Sequence, residues 1–136
     1  MGKSEGLMQI AEEVRGDVTI LRPVGPIDSA AAPRFEARLM AALAPPAPDA
    51  APDAPAKAPV GLVLDLSAVT QLTPAGLRSL LLAVRQARSA GRRIVLTAVP
   101  APVRAVLDEA GLSPLVESHG DLEAAVEAAM RAASQQ

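Results

Sequence analysis

One run constrains this chain more than any other. From Val60 to Leu66 it reads Val-Gly-Leu-Val-Leu-Asp-Leu, nearly continuous aliphatic sequence closed off by Pro59 before it and Ser67 after it. A strand with one wet face alternates apolar and polar residues, whereas a short run without alternation suits a central strand buried on both faces, the habit of parallel sheets covered by helices. Arg93 to Val99 reads as a second such strand. Between the two, Thr73-Pro74 opens a helix: threonine is a good N-cap, and proline is suited to the first helical position, where no N–H is needed. Leu77, Leu80, Leu81 and Val84 give that helix its buried stripe, and Gly91 ends it. Strand, helix and strand in this order require a right-handed crossover and a mostly parallel sheet.

The flanking sequence extends the same plan. Leu7 to Val14 and Asp17 to Val24, separated by the turn-like Arg15-Gly16-Asp17, predict an N-terminal antiparallel hairpin. Gly25-Pro26-Ile27-Asp28-Ser29 breaks the second strand, and Asp28 or Ser29 can cap a helix entered through Pro33 that carries Phe35, Leu39 and Leu43 at helical spacing. After Pro100 and Pro102 a short helix turns Val103, Val106 and Leu107 inward and stops at Gly111. Leu115 and Val116 predict a short strand, and Asp121 caps a last helix with Leu122, Val126, Ala129 and Met130. Residues 44–59 hold six prolines among alanine, aspartate and one lysine, a composition that forms neither helix nor ladder and reads as a flexible insert. The expectation is one α/β domain over 1–136 with an ordered core over 7–132, a mixed sheet of four to five strands, and about four helices.

Composition removes whole classes of function. The chain has no cysteine, which excludes disulfides, thiolate nucleophiles and sulfur-based metal sites. Its one aromatic, Phe35, and its net charge of −2 without a basic block argue against nucleic acid. No stretch of about 18 apolar residues spans a membrane, and no apolar leader opens the chain, so a soluble, cytoplasmic protein is expected. The only histidine, His119, sits beside Gly120 and reads as a surface loop residue rather than a base. Glu12 with Glu13, and Asp108 with Glu109, read as solvated charge, and no Gly-rich Lys-Ser or Lys-Thr loop cradles phosphates. Neither a catalytic set nor a cofactor or metal site is expected.

The informative place is the turn from Val69 to Leu77, at the carboxyl end of the sheet where α/β folds put their sites. The amides of Ala75, Gly76 and Leu77 open the helix there and suit an anion or a partner's acceptor; equally, Thr73 and Pro74 need do no more than start the helix. Three stretches, Val63-Leu-Asp-Leu-Ser-Ala-Val-Thr70, Gly76-Leu-Arg-Ser-Leu-Leu-Leu82 and Ala90-Gly-Arg-Arg-Ile-Val-Leu96, stand in this order. With Gly25-x-Ile27-Asp28-Ser29, Ala110-Gly111-Leu112 and Asp121-Leu122, they resemble the STAS domain of bacterial anti-sigma-factor antagonists, over Met8 to about Ala132 apart from the insert.

The resemblance implies a switch in which the unphosphorylated antagonist binds a serine-kinase anti-sigma factor and phosphorylation of a serine just before Gly-Leu releases it. Here that serine is Ala75, which has no hydroxyl, and the acidic residue two places earlier is Thr73, a possible substitute acceptor, while Asp28 remains as a loop carboxylate. Leu82, outside the apolar stripe and flanked by Arg78 and Arg85, is read as an exposed residue that suits an interface anchor. The partner surface expected is therefore Asp28, Ser29, Thr73, Pro74, Ala75, Gly76, Leu77, Arg78, Leu82 and Arg85. Arg85, Arg88, Arg92 and Arg93 near the helix end favour its macrodipole and a wet surface, with anion binding as the alternative. The family resemblance also admits a second role, as a STAS subunit of a transport system of the lipid-trafficking ABC type, with a transporter ATPase as partner.

Overall fold

The computed structural model describes residues 9–16, 18–43 and 61–134. Asp17, the proline-rich segment 44–59 and residues 7–8 of the expected first strand lie outside the described residues. The elements run β1 (Gln9–Arg15), β2 (Val18–Ile27), α1 (Ala32–Leu43), β3 (Gly61–Asp65), β4 (Val69–Leu72), α2 (Pro74–Ser89), β5 (Arg93–Thr97), α3 (Ala101–Glu109), a 3-10 turn (Ser113–Leu115), β6 (Glu117–His119) and α4 (Leu122–Ser134).

The sheet order is β1-β2-β3-β5-β6. Only the β1–β2 hairpin is antiparallel; β2–β3, β3–β5 and β5–β6 are parallel. All five residues of β3 are buried, as a run without alternation requires. Successive side chains point to opposite faces, so Leu62 and Leu64 join the core under α1, α2 and α3, while Val63 joins a smaller core under α4. The first core is built on Phe35, Leu39, Leu80, Val84, Leu96, Val103 and Leu107; the second packs Val18, Ile20, Val63 and Val95 against Ala125, Ala128 and Ala129. Alanine on α4 lets the helix lie close to the sheet: a Cβ at Gly61 would come within 2.8 Å of the Ala129 Cβ.

The helix ends follow their sequence signals. Asp28 Oδ1 accepts from the Ala31 amide at 3.0 Å, and Asp121 Oδ1 accepts from the Ala124 amide at 2.8 Å. At Gly91, with φ 73°, the Arg92 amide reaches back to the Ala87 carbonyl at 2.8 Å and the Gly91 amide to Arg88 at 3.2 Å, a Schellman cap that only a residue at ease with positive φ closes without strain. Gly111 closes α3 the same way through Leu112 and Leu107.

Five expectations are corrected. The sheet has a sixth strand, β4, where a plain turn was expected: beyond a register shift at Gly25/Pro26, β2 leaves β3 and pairs in parallel with Val69–Leu72. The short strand expected at Leu115–Val116 falls at Glu117–His119 instead, because Pro114, with no N–H for a ladder, starts a 3-10 turn. His119 consequently lies in β6, half-buried, rather than in a loop. Leu77 and Leu81 are half-buried, and the buried stripe of α2 is Gly76, Ser79, Leu80, Ala83, Val84 and Ala87, rotated toward α1; on α4, Met130 is exposed.

One buried charge ties the hairpin to the sheet centre. Asp65, 6% exposed at the end of β3, accepts from Arg22 Nε at 2.9 Å and from the Ser67 amide at 3.0 Å. Burial pushes its carboxyl up, but the Ser67 and Arg22 contacts together outweigh it and hold the group below the ordinary value of 3.8. A carboxyl lowered in the folded state contributes stability that is complete above its unfolded value and is lost as pH falls through the folded one. Urea denaturation should therefore find the chain losing stability from about pH 5 toward about pH 3. Asp65→Asn should flatten that slope and lower stability near neutral pH by about 1–3 kcal/mol.

Candidate functional site

The start of α2 is fixed by a single carbonyl. Thr73 donates to the Ile27 carbonyl twice, from its backbone amide at 3.1 Å and from its hydroxyl at 2.8 Å, so the end of β2 and the start of α2 are joined before either helix packs. The same hydroxyl oxygen accepts from the Gly76 amide at 3.4 Å, the cap expected of this residue. Gly76 lies directly over that carbonyl: a Cβ there would meet Ile27 Cγ2 at 2.5 Å and Ile27 O at 2.6 Å. Glycine at this position is thus a matter of space. Any side chain would push the first turn of α2 off the sheet.

Two of the three amides read as an outward-facing cradle are occupied by the protein itself. Gly76 N–H is taken by the Thr73 hydroxyl, and Leu77 N–H by the Thr73 carbonyl at 2.8 Å, the first bond of the helix. The turn therefore presents side chains, not an anion nest. Thr73, half-buried and bonded at both its hydrogen and its oxygen, is a structural joint.

Around this joint the expected residues gather on one pole. Asp28 sits half-buried one residue after Ile27, its carboxylate closing the turn into α1, with Ser29 exposed beside it. On α2, Ala75, Arg78, Leu82 and Arg85 recur at helical spacing along the side away from the buried stripe. Leu82 is 38% exposed on that ridge, between Arg78 and Arg85, as the sequence predicts.

The ridge separates two grooves. Toward α1 lies one of about 580 Å³, lined by Pro33, Glu36, Met40, Ala75 and Arg78, with the Ser79 hydroxyl bonded to Glu36 at 3.2 Å on its wall. Toward α3 lies a more apolar one of about 280 Å³, lined by Pro74, Leu77, Leu81, Leu112 and Leu115. Gly76 itself is buried and contributes spacing rather than contact surface. The sequence reading assigned none of Met40, Leu112 and Leu115 to this surface and took Leu115 for a strand residue; Leu115 is 47% exposed directly after Pro114.

The remaining candidates lie elsewhere. His119 bonds Glu117 at 2.6 Å on the far edge of the sheet; that bond, with Arg93, holds the Glu117 carboxyl below its ordinary value against the cost of burial. Glu13 and Glu12 pair with Arg15 and Arg38, and Asp108 accepts from Ser113. No group of three or more metal-ligating side chains occurs among the described residues. Among them, too, no helix is long and apolar enough to cross a membrane.

The model of the STAS domain family matches residues 9–129. An anti-sigma factor antagonist from Mycobacterium paratuberculosis is similar in structure, with a TM-score of 0.70 at 25% identity over 90% of this chain and 94% of that one. RsbS of Moorella thermoacetica, in a serine-to-glutamate variant, gives 0.71 at 20% identity over 93% and 98%. The STAS domain of a SulP transporter from Vibrio cholerae gives 0.64 at 20% identity over 91% and 89%. No curated protein matches the sequence.

Gly76→Ala should lower stability by about 1–3 kcal/mol in chemical denaturation, since the clash is with backbone rather than with the tip of a side chain. Thr73→Ala should cost about 1–2 kcal/mol through loss of the cap and of the bond to Ile27, and Thr73→Ser should restore most of it.

Proposed function

The chain belongs to the STAS domain family, and we propose that it is a non-catalytic, protein-binding regulatory module of the anti-sigma-factor-antagonist kind. Its partner on this reading is a kinase-type anti-sigma factor or a related signalling protein, held by the pole built from Asp28, Ser29, Thr73, Pro74, Ala75, Leu77, Arg78, Leu82 and Arg85 around Gly76.

The observation that carries the proposal is the ridge of α2. Arg78, Leu82 and Arg85 form an exposed line with an apolar residue between two cations, headed by the half-buried Ala75 and flanked by two grooves. An apolar anchor set between arginines is the composition of an interface centre rather than of an idle surface. Ala75 heads that line without a hydroxyl, so the module stays in its binding form; a phosphate there would have introduced up to two negative charges into the contact. On this reading Thr73 is a joint rather than a substitute acceptor, supported by the bonds of its hydroxyl to Ile27 and Gly76.

A second reading is a STAS subunit of a transport system, and the STAS domain of a SulP transporter shares the fold; in a lipid-trafficking ABC system the same surface would hold a transporter ATPase. Affinity capture from native cells with mass-spectrometric identification separates the two. Recovery of a kinase-type anti-sigma factor supports the first, recovery of transporter ATPase subunits the second, and recovery of neither removes both. Leu82→Glu should reduce capture by at least about 30-fold, the loss of one central anchor, with the denaturation midpoint unchanged. Capture as strong as that by the unaltered chain would take this ridge out of the interface.

A further inference from the structure

The groove between α2 and α3 has banks of opposite sign. Pro74, Leu77 and Leu81, from the first turns of α2, line one bank, and Ala110, Leu112 and Leu115, just past the end of α3, line the other. Pro74 and Leu115 are exposed and Leu77 and Leu81 half-buried, so an apolar strip meets water between the two helices. A helix start carries about half a positive charge and a helix end about half a negative one. The first turn of α2 holds no acidic residue and the last turn of α3 no basic one, so neither end is neutralised from within its own helix.

The side chains add to these poles instead of cancelling them. Arg78 lines the groove on the α2 bank and is exposed. Glu109, the last residue of α3, is exposed as well. Val106, Glu109 and Ala110 share one stripe of α3 at spacings of three and four, and Ala110 lines the groove, which places Glu109 on the opposite bank. A guanidinium near a helix start and a carboxylate at a helix end are each on the side that the macrodipole disfavours. Neither Arg78 nor Glu109 has an ion pair among the described residues.

A surface that is basic on one bank of an apolar strip and acidic on the other is complementary to itself. A two-fold rotation about an axis along the groove sets the basic bank of one copy over the acidic bank of the second and lays strip on strip. We infer that two copies of this chain pair groove to groove, Arg78 of each against Glu109 of the other, with Leu77, Leu81 and Leu115 closing the centre. A groove of this length falls short of the about 20–30 residues a side of a standard interface, so the pair is weak and concentration-dependent. The inference does not rest on the partner reading above, since it concerns the chain alone. Pro74, Leu77 and Arg78 are common to both surfaces, so a second copy in the groove competes with whatever the ridge holds.

Sedimentation equilibrium of the full chain from about 10 μM to about 1 mM tests this. A reversible monomer–dimer equilibrium is expected within that range, weakened as salt rises from about 50 to about 500 mM because exposed charge pairs are screened. Arg78→Glu and Glu109→Arg should each weaken the dimer at least about tenfold, since two like-charge contacts replace two opposite ones. An equimolar mixture of these two variants should regain it, because in the mixed pair both contacts again join opposite charges. Glu127→Arg, the same charge change at an exposed position of α4, should leave the equilibrium unaltered. A monomer throughout the range, a dimer indifferent to both reversals, no recovery in the mixture, or an equal loss in Glu127→Arg would overturn the inference.

Discussion

The carbonyl of Ile27 is the contact on which the rest of the proposed partner surface depends. It accepts two hydrogen bonds from Thr73 and has Gly76 stacked against it, so the last residue of β2 and the first turn of α2 occupy the minimum separation their backbones allow. The next residue, Asp28, begins the turn into α1. Two helix starts far apart in sequence are thereby fixed side by side without any side chain from the exposed ridge taking part. That division matters for a binding surface: groups that meet a partner can change freely only if other groups hold the backbone.

The core that supports this surface is almost wholly aliphatic, and its two halves are unequal. Leucine, valine and the single phenylalanine fill the side under α1, α2 and α3, while alanine on α4 meets valine on the other. Small residues on α4 substitute proximity for bulk, which explains why a glycine opens β3 on that side. Bridging the hairpin to the centre falls to Arg22 and Asp65, among the described residues the one ion pair in which a buried carboxylate takes part. Aromatic packing contributes only at Phe35.

Most of this architecture was legible in the sequence because it follows from local rules. The uninterrupted run of β3, the Thr-Pro start of α2 and the glycine after each of α2 and α3 declare themselves within a few residues. What was not legible depends on partners distant in the chain. β4 is two apolar residues around Thr70 and Gln71, and it becomes a strand only because β2 continues past its bulge to meet it. The closed amides of Gly76 and Leu77 depend on a threonine rotamer, and the place of Leu77 at a groove rather than in the core depends on how α2 leans on α1. At the ridge the opposite holds: Leu82 stood out by helical phase alone, and its exposure follows from that phase.

The proposed partner surface sits at the carboxyl ends of the strands, whereas α1 runs away from that pole to Leu43, and β3 re-enters at Gly61, at the amino ends. The connection from residue 44 to 60 is thus anchored at the pole that the ridge does not occupy. If the proposed surface is the one that meets a partner, the fold separates two places of change: sequence drift at one pole alters what that surface offers, while the ends of the 44–60 connection stand at the other.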